Sequence, residues 1–393
     1  MKKLHAVAAI LLGVAPCMLL GACSIGENKP DYELLPELEQ TGTSDSSAKE
    51  TTAANGNAQN SQRTVTISGK LEDGAEYTLY SDGELAFQGS AVGKSVSADK
   101  VLANYLDKIT KVSFGEGVTE IGEKVCERLN ALQKAVIGDS VKKIGASAFS
   151  DCAAISEIDL GKGVTELGAY AFSGCAACKE LTVSDQVQKI GDYAFSGCAS
   201  LRSVSLGSGV KEMGTSVFGE CQQLATAKIN SDVCKGAFSG CAALRSVEFG
   251  DKVTKIGEEA FTGSGISELK LTDHITEIGK DAFSQCGGLK KVTLHSVKTI
   301  GEAAFMNCQS ITELEVSGTE CEIGKKAFSG CPALSEIKLP EEGSIVLKES
   351  AFAGCTALTK IKLTNAVKEI GNMAFSGCAG LDNAEIGEIV EKM

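Results

Sequence analysis

The sequence predicts an α/β solenoid, with a parallel sheet along one face and short helical or 3-10 turns on the other. Three observations predict it. A phenylalanine, nearly always preceded by alanine, recurs at Phe149, Phe172, Phe195, Phe218, Phe238, Phe261, Phe283, Phe305, Phe328, Phe352 and Phe375, at intervals of 20 to 24 residues. Inside each interval apolar residues alternate at period two over one short stretch, the mark of a half-buried strand. Glycine recurs at fixed offsets from the phenylalanine, so the backbone turns at the same places in every unit.

The unit from Val187 to Leu206 carries every element. Leu201 brackets the strand, and Val204 and Leu206 alternate inward. Val187 and Ile190 mark the return segment. Gly191 permits a close turn where a side chain would clash. Ala194-Phe195 sits on a short helical or 3-10 turn, with alanine allowing close approach and phenylalanine filling the interior. Gly197 ends that turn in the left-handed region; Asp151, Gln285 and Asn307 take the same slot elsewhere. A twelfth, degenerate unit precedes the others, with Ile121-Gly122 in register and Cys126 in the phenylalanine slot. One unit cannot bury its apolar face alone, so neighbours must stack. Twelve strands at roughly 4.8 Å spacing make a sheet about 50 Å long.

The pattern Val-x-x-Ile-Gly-x-x-Ala-Phe-x-x-Cys-x-x-Leu-x-x-Val-x-Leu resembles the BspA-like leucine-rich-repeat surface proteins of bacteria, over about Val112 to Ile386. The resemblance implies a right-handed, curved leucine-rich-repeat solenoid with its sheet on the concave face. For some members it implies adhesion to host proteins or other cells. Residues Thr64 to Ala91 look like the β-hairpin segment that often precedes such arrays, and Asp99 to Ile109 like a following helix. Together they form an expected N-terminal cap over residues 64–111, ahead of a solenoid over 112–393.

The first 22 residues read as an export signal: Lys2 and Lys3, an apolar run from Ala6 to Leu20, then Leu20-Gly21-Ala22-Cys23. The run is too short to span a bilayer comfortably. It resembles the bacterial lipoprotein signal, in which the thiol at Cys23 receives a diacylglyceryl group. Two or three acyl chains then anchor the chain stably, each methylene contributing about 0.8 kcal/mol. An ordinary signal with an incidental cysteine is the alternative. Residues 23–63 read as a flexible polar tether.

A net charge of −13 repels phosphate backbones, which argues against nucleic acid as a partner. Only His5, His274 and His295 are present, and His5 belongs to the signal, so a Ser-His-Asp or Cys-His arrangement has little to draw on. Every glycine cluster belongs to the repeat, leaving no phosphate-cradling loop. The expectation is a non-catalytic protein without a cofactor.

Cys152, Cys175, Cys198, Cys221, Cys241, Cys286, Cys308, Cys331, Cys355 and Cys378 each follow the ladder phenylalanine by three residues, and Ser264 takes the slot once. They read as buried, reduced thiols able to bond a backbone group at the turn. Parallel side-chain vectors disfavour disulfides between coils. Cys175 and Cys178 form a C-x-x-C pair by spacing, but their phase turns both into the core. Cys234 replaces the turn glycine in a shortened unit.

Candidate binding residues flank the inward strand positions: Glu157, Asp159, Arg202, Ser205, Lys228, Arg245, Glu248, Glu268, Lys270, Lys290, Lys291, Glu313, Glu315, Glu336, Lys338, Lys360 and Lys362. Their signs alternate between neighbouring coils, consistent with cross-strand pairing on a solvated sheet or with a polar docking surface. Tyr170 and Tyr193 share one phase on consecutive coils and read as a stacked pair that either contacts a ligand or shields the turn. Aromatic platforms are otherwise scarce, which disfavours carbohydrate. The expected function is a membrane-anchored surface protein binding protein or glycan ligands; the alternative is an assembly lipoprotein holding another envelope component.

Overall fold

The computed structural model describes residues 63–386; Cys23, the export signal and nearly all of the tether lie outside them. Each coil has three sides. On the first, a strand of up to four residues alternates: in Ser203–Leu206, Val204 and Leu206 are buried while Ser203 and Ser205 are half-exposed. These wide strands pair in parallel with the coil before and the coil after, Val204 opposite Leu181 and Ala227. On the second side a two-residue strand does the same, Ile190 opposite Leu167 and Met213.

The third side is the Ala-Phe segment. Here Ser173 and Cys175 donate to the carbonyls of Tyr170 and Phe172, three residues back, as a 3-10 turn requires. The intervening amides of Tyr170, Phe172 and Gly174 donate instead to Asp192, Ala194 and Ser196 on the next coil, at 2.8–2.9 Å. Turn bonds and coil-to-coil bonds thus alternate, and the segment never lengthens into a helix. This geometry puts two residues per coil in the left-handed region, two before and two after the phenylalanine. The glycine slot after it, at Gly174 and Gly197, was legible. The position before it, at Tyr170 and Tyr193, was not.

From Phe149 to Phe375 the rings stack face to face, centroids 4.9–5.6 Å apart and within 12° of parallel. All are buried. Phe114 closes the column with an edge-on contact to Phe149 at 6.1 Å, and Phe249 makes a similar contact with Phe261.

The array is one turn longer than the twelve coils expected. The first strands, β1 (Val65–Lys70), β2 (Glu76–Tyr80) and β3 (Glu84–Gln88), form an antiparallel meander. Strand β3 also pairs in parallel with Lys111–Phe114, and Ala91–Val92 with Glu120–Ile121, so this segment is already a thirteenth turn of the solenoid. Where a helix was expected, Leu102–Lys108 is a 3-10 helix, with Asp99 accepting from the amides of Val101 and Leu102. Glu84 is buried at this end and gathers Arg63 at 2.7 Å, Lys111 at 2.9 Å and the Ser113 hydroxyl at 2.6 Å.

Two interruptions lie close together. In the shortened unit the narrow strand shrinks to a single bridge, Val233 with Ile256. In the unit after it Leu269 and Leu271 form no strand and are only partly buried.

Candidate binding surfaces

The wide-strand side carries most of the polar residues singled out from the sequence, and many of them pair with one another. Lys228 meets Glu248 at 2.9 Å. Lys291 stands in register with Glu313 and reaches both Glu313 at 3.1 Å and Glu315 at 3.0 Å. Glu313 opposes a like charge, Glu336, and Lys338 relieves the repulsion by contacting Glu313 at 2.6 Å and Glu336 at 3.4 Å. Hydrogen bonds from Lys338 and Lys291 hold the Glu313 carboxyl below its usual range. Lys134 pairs with Glu157, Lys270 with Glu268 at 3.0 Å, and Lys362 with Glu341 at 2.5 Å. Such exposed pairs are screened by solvent and add little to stability. Arg245 is tied down: its guanidinium donates to the carbonyls of Ala242 and Gly265, both at 2.9 Å, bridging into the strandless unit. Arg202 and Lys360 make no ion pair among the described residues. Between the charged stretches lies a hydroxyl-rich centre of Thr182, Ser203, Ser205, Thr226 and Ser246, paired strand to strand.

The narrow strands hold a second charge row that the sequence reading passed over. Its sign alternates coil by coil through Glu120, Lys143, Glu166, Lys189 and Glu212, and resumes at Lys255 and Glu277. Lys143 contacts Glu120 at 3.4 Å, Lys189 contacts Glu212 at 3.0 Å and Lys255 contacts Glu277 at 2.8 Å.

Tyr170 and Tyr193 stack as expected, centroids 5.0 Å apart and 9° from parallel. Tyr170 is 44% exposed. Both occupy the left-handed region, at φ 58° and 56°. That conformation costs an ordinary side chain about 1–2 kcal/mol, and the stacking offsets about 0.5–1.5 kcal/mol of it. A groove of about 420 Å³ runs along the narrow-strand side of these and the flanking coils, lined by Glu166, Gly168, Ala169, Lys189, Asp192 and Glu212 among others, without either tyrosine ring.

With this geometry in place, the comparisons with known proteins are decisive for family. The sequence matches the BspA type leucine rich repeat region (6 copies) over residues 99–225, 226–331 and 289–393. The chain belongs to this family. A leucine-rich repeat protein from Bacteroides ovatus is 26% identical, covering 83% of this chain and 94% of its own, with a TM-score of 0.57. A leucine-rich repeat protein from Eubacterium ventriosum is 20% identical over 77% of this chain and 92% of its own (TM-score 0.43). A leucine rich cell surface protein from Faecalibacterium prausnitzii is 22% identical over 82% of this chain and 95% of its own (TM-score 0.40). No curated protein matches the chain.

In this BspA-type array the ladder cysteines do backbone work. From Cys175 to Cys378 each thiol donates to the carbonyl of the phenylalanine one coil back, at 3.1–3.4 Å. Burial pushes the thiols of Cys152, Cys175, Cys241, Cys286, Cys308 and Cys331 up, to about 12 at Cys152 and Cys331. Cys178 is buried and raised to about 11 by the same cause, so the C-x-x-C spacing places two protonated thiols in the core rather than a reactive pair. Among the described residues no group of three or more His, Cys, Asp or Glu side chains is placed to hold a metal ion.

Proposed function

We propose that this protein is a lipid-anchored surface binding protein that presents its repeat faces to protein or glycan ligands and catalyses no reaction. The observation that carries the reading is the wide-strand ladder. Polar side chains recur at one-coil spacing on a backbone fixed by parallel pairing, with a continuous apolar core beneath. Such a surface is preorganised, so docking on it orders few side chains and spends little binding energy on that ordering. The hydroxyl-rich centre from Thr182 to Ser246, with Arg202 beside it, is the part least committed to internal ion pairs. The self-paired stretch around Glu313 contributes orientation more than affinity. Membership of the BspA-type family supports a binding role.

Attachment rests on the sequence at Lys2, Lys3 and Leu20-Gly21-Ala22-Cys23, with acyl chains on Cys23 holding the protein to the outer side of a membrane. Its acidic balance disfavours nucleic acid.

The test uses purified full chain in detergent, exposed to extracellular-matrix proteins, mucin and whole cells. Saturable binding that falls at least tenfold when Arg202 and Thr226 are both replaced by glutamate supports the reading. Binding to none of these, with an envelope protein co-purifying at fixed ratio, would transfer the assignment to envelope assembly.

A further inference from the structure

The column two residues before the ladder phenylalanine carries Ser147, Tyr170, Tyr193 and Ser216 on four successive coils, all in the left-handed region. The two rings stack on each other, and the column then drops to serine on both sides. The outer face of each tyrosine is therefore covered by no ring from this chain. A step of one coil, roughly 4.8 Å, is close to the contact distance between a flat ring and its neighbour. A ring-shaped ligand seated over Ser147 or Ser216 would continue the aromatic column.

The polar surroundings narrow the chemistry. Ala169 and Asp192 line the groove and immediately precede the two rings in sequence, so groove and platform lie on the same coils. Glu166 lies in that groove, in register with Lys143 and Lys189, yet those lysines contact Glu120 and Glu212. Among the described residues Glu166 makes no ion pair. An apolar protein side chain on this platform would find serines on the flanking coils and the groove carboxylates Glu166 and Asp192 on the same coils as the rings. A sugar presents an apolar C–H face to an aromatic ring and a rim of hydroxyls to carboxylates.

We propose that Tyr170 and Tyr193, with Glu166 and Asp192 on the same two coils, form a carbohydrate subsite that takes pyranose rings on the tyrosine faces. The inference rests on the binding role argued above and names a ligand class for one surface of the array. Asp192 is partly engaged, accepting from the Thr215 amide at 2.6 Å, which leaves its second oxygen for a sugar hydroxyl.

The experiment titrates purified full chain with cellohexaose, xylohexaose, maltohexaose and released mucin O-glycans. Tyrosine fluorescence and calorimetry report binding, since the chain has no tryptophan. At least one glycan should bind saturably. Tyr170→Ser and Tyr193→Ser should each weaken it at least tenfold, while Tyr170→Phe stays within twofold. Ser147 and Ser216 already occupy this column, so the serine variants keep the fold, which a melting curve checks. Saturation transfer from tyrosine ring protons to the sugar reads the same contact without any substitution. Glycan binding unchanged in both serine variants overturns the subsite. So does the absence of glycan binding while a protein ligand is still bound, and in that case the binding role survives. Binding to neither class removes both.

Discussion

The thiol of Cys198 donates to the carbonyl oxygen of Phe172, one coil back, at 3.4 Å. Repeated along the array, this contact ties the turn of each coil to the ring-bearing residue of the coil before it. A thiol suits the slot because it is small, donates weakly and costs little to bury.

Burial raises six ladder thiols, Cys152, Cys175, Cys241, Cys286, Cys308 and Cys331, above their ordinary value of 9.0, to about 12 at Cys152 and Cys331. In the unfolded chain they ionise near the ordinary value, so between about 9 and about 12 the unfolded state holds fewer protons. Stability is therefore full below pH 9 and falls as pH rises toward 12. Thermal melts from pH 7 to 11 should show a steady fall in Tm above pH 9. Cys331→Ser should make the fall shallower, because a hydroxyl does not titrate there. A flat Tm up to pH 11 would contradict the burial.

Iodoacetamide on the native protein should leave the ladder cysteines unlabelled and modify Cys234 first among residues 63–386, since Cys234 alone of their thiols is not fully buried. Mass spectrometry of the digested protein reads the order. Labelling of Cys198 or Cys308 at the rate of Cys234 would mean the coils open far more often than a packed core allows.

Phe195 stacks between Phe172 and Phe218 at 5.6 Å and 5.5 Å. Phe195→Ala should cost about 3–5 kcal/mol, because no neighbour can fill the gap without breaking its own stacking. Urea denaturation measures it, and a loss below 1 kcal/mol would place the ring outside the core.

Burial works against the charge of Glu84, but hydrogen bonds from Ser113 and Lys111 and the charges of Lys111 and Arg63 outweigh it and hold the carboxyl below 4.5. A depressed carboxyl stabilises the fold above its ordinary value, and the contribution is lost as pH falls through the folded value. Glu84→Gln should lower stability by about 1–3 kcal/mol at pH 7. It should also flatten the acid limb of the stability curve. Equal acid sensitivity in both proteins would show that Glu84 does not govern this end.

Much of this architecture was legible because side-chain chemistry and backbone need coincide. Glycine, asparagine or aspartate after the phenylalanine announces a left-handed residue. The left-handed position before it holds serine, tyrosine, glycine, glutamate, aspartate, alanine, lysine or methionine, from Ser147 to Met373, and no composition signals it. Amides donated to the next coil impose it against side-chain preference. The thirteenth turn carried one signal, Val92-Gly93, in the place of the usual Ile-Gly. There Gly122 packs so closely on Gly93 that a Cβ would sit 2.8 Å from its Cα. The phenylalanine of that turn, Phe87, lies in a strand instead of the turn segment, and so broke the spacing. The charge row from Glu120 to Glu212 was fully visible in the sequence. The fate of Arg245 was not, because its carbonyl partners gather only when one unit loses its strand.

The distance between spin labels on the wide-strand face tests the winding of the chain most directly. Labels attached through a ketone-bearing amino acid avoid the cysteines. One would sit at Thr182 and the other at Lys228, Thr293, Lys338 or Lys362 in turn. If the segments are successive turns of one coil, the separation should grow by about 4.8 Å for each coil added, with a narrow spread. Separations that fail to lengthen with coil number, or that spread broadly at every site, would contradict a continuous stack.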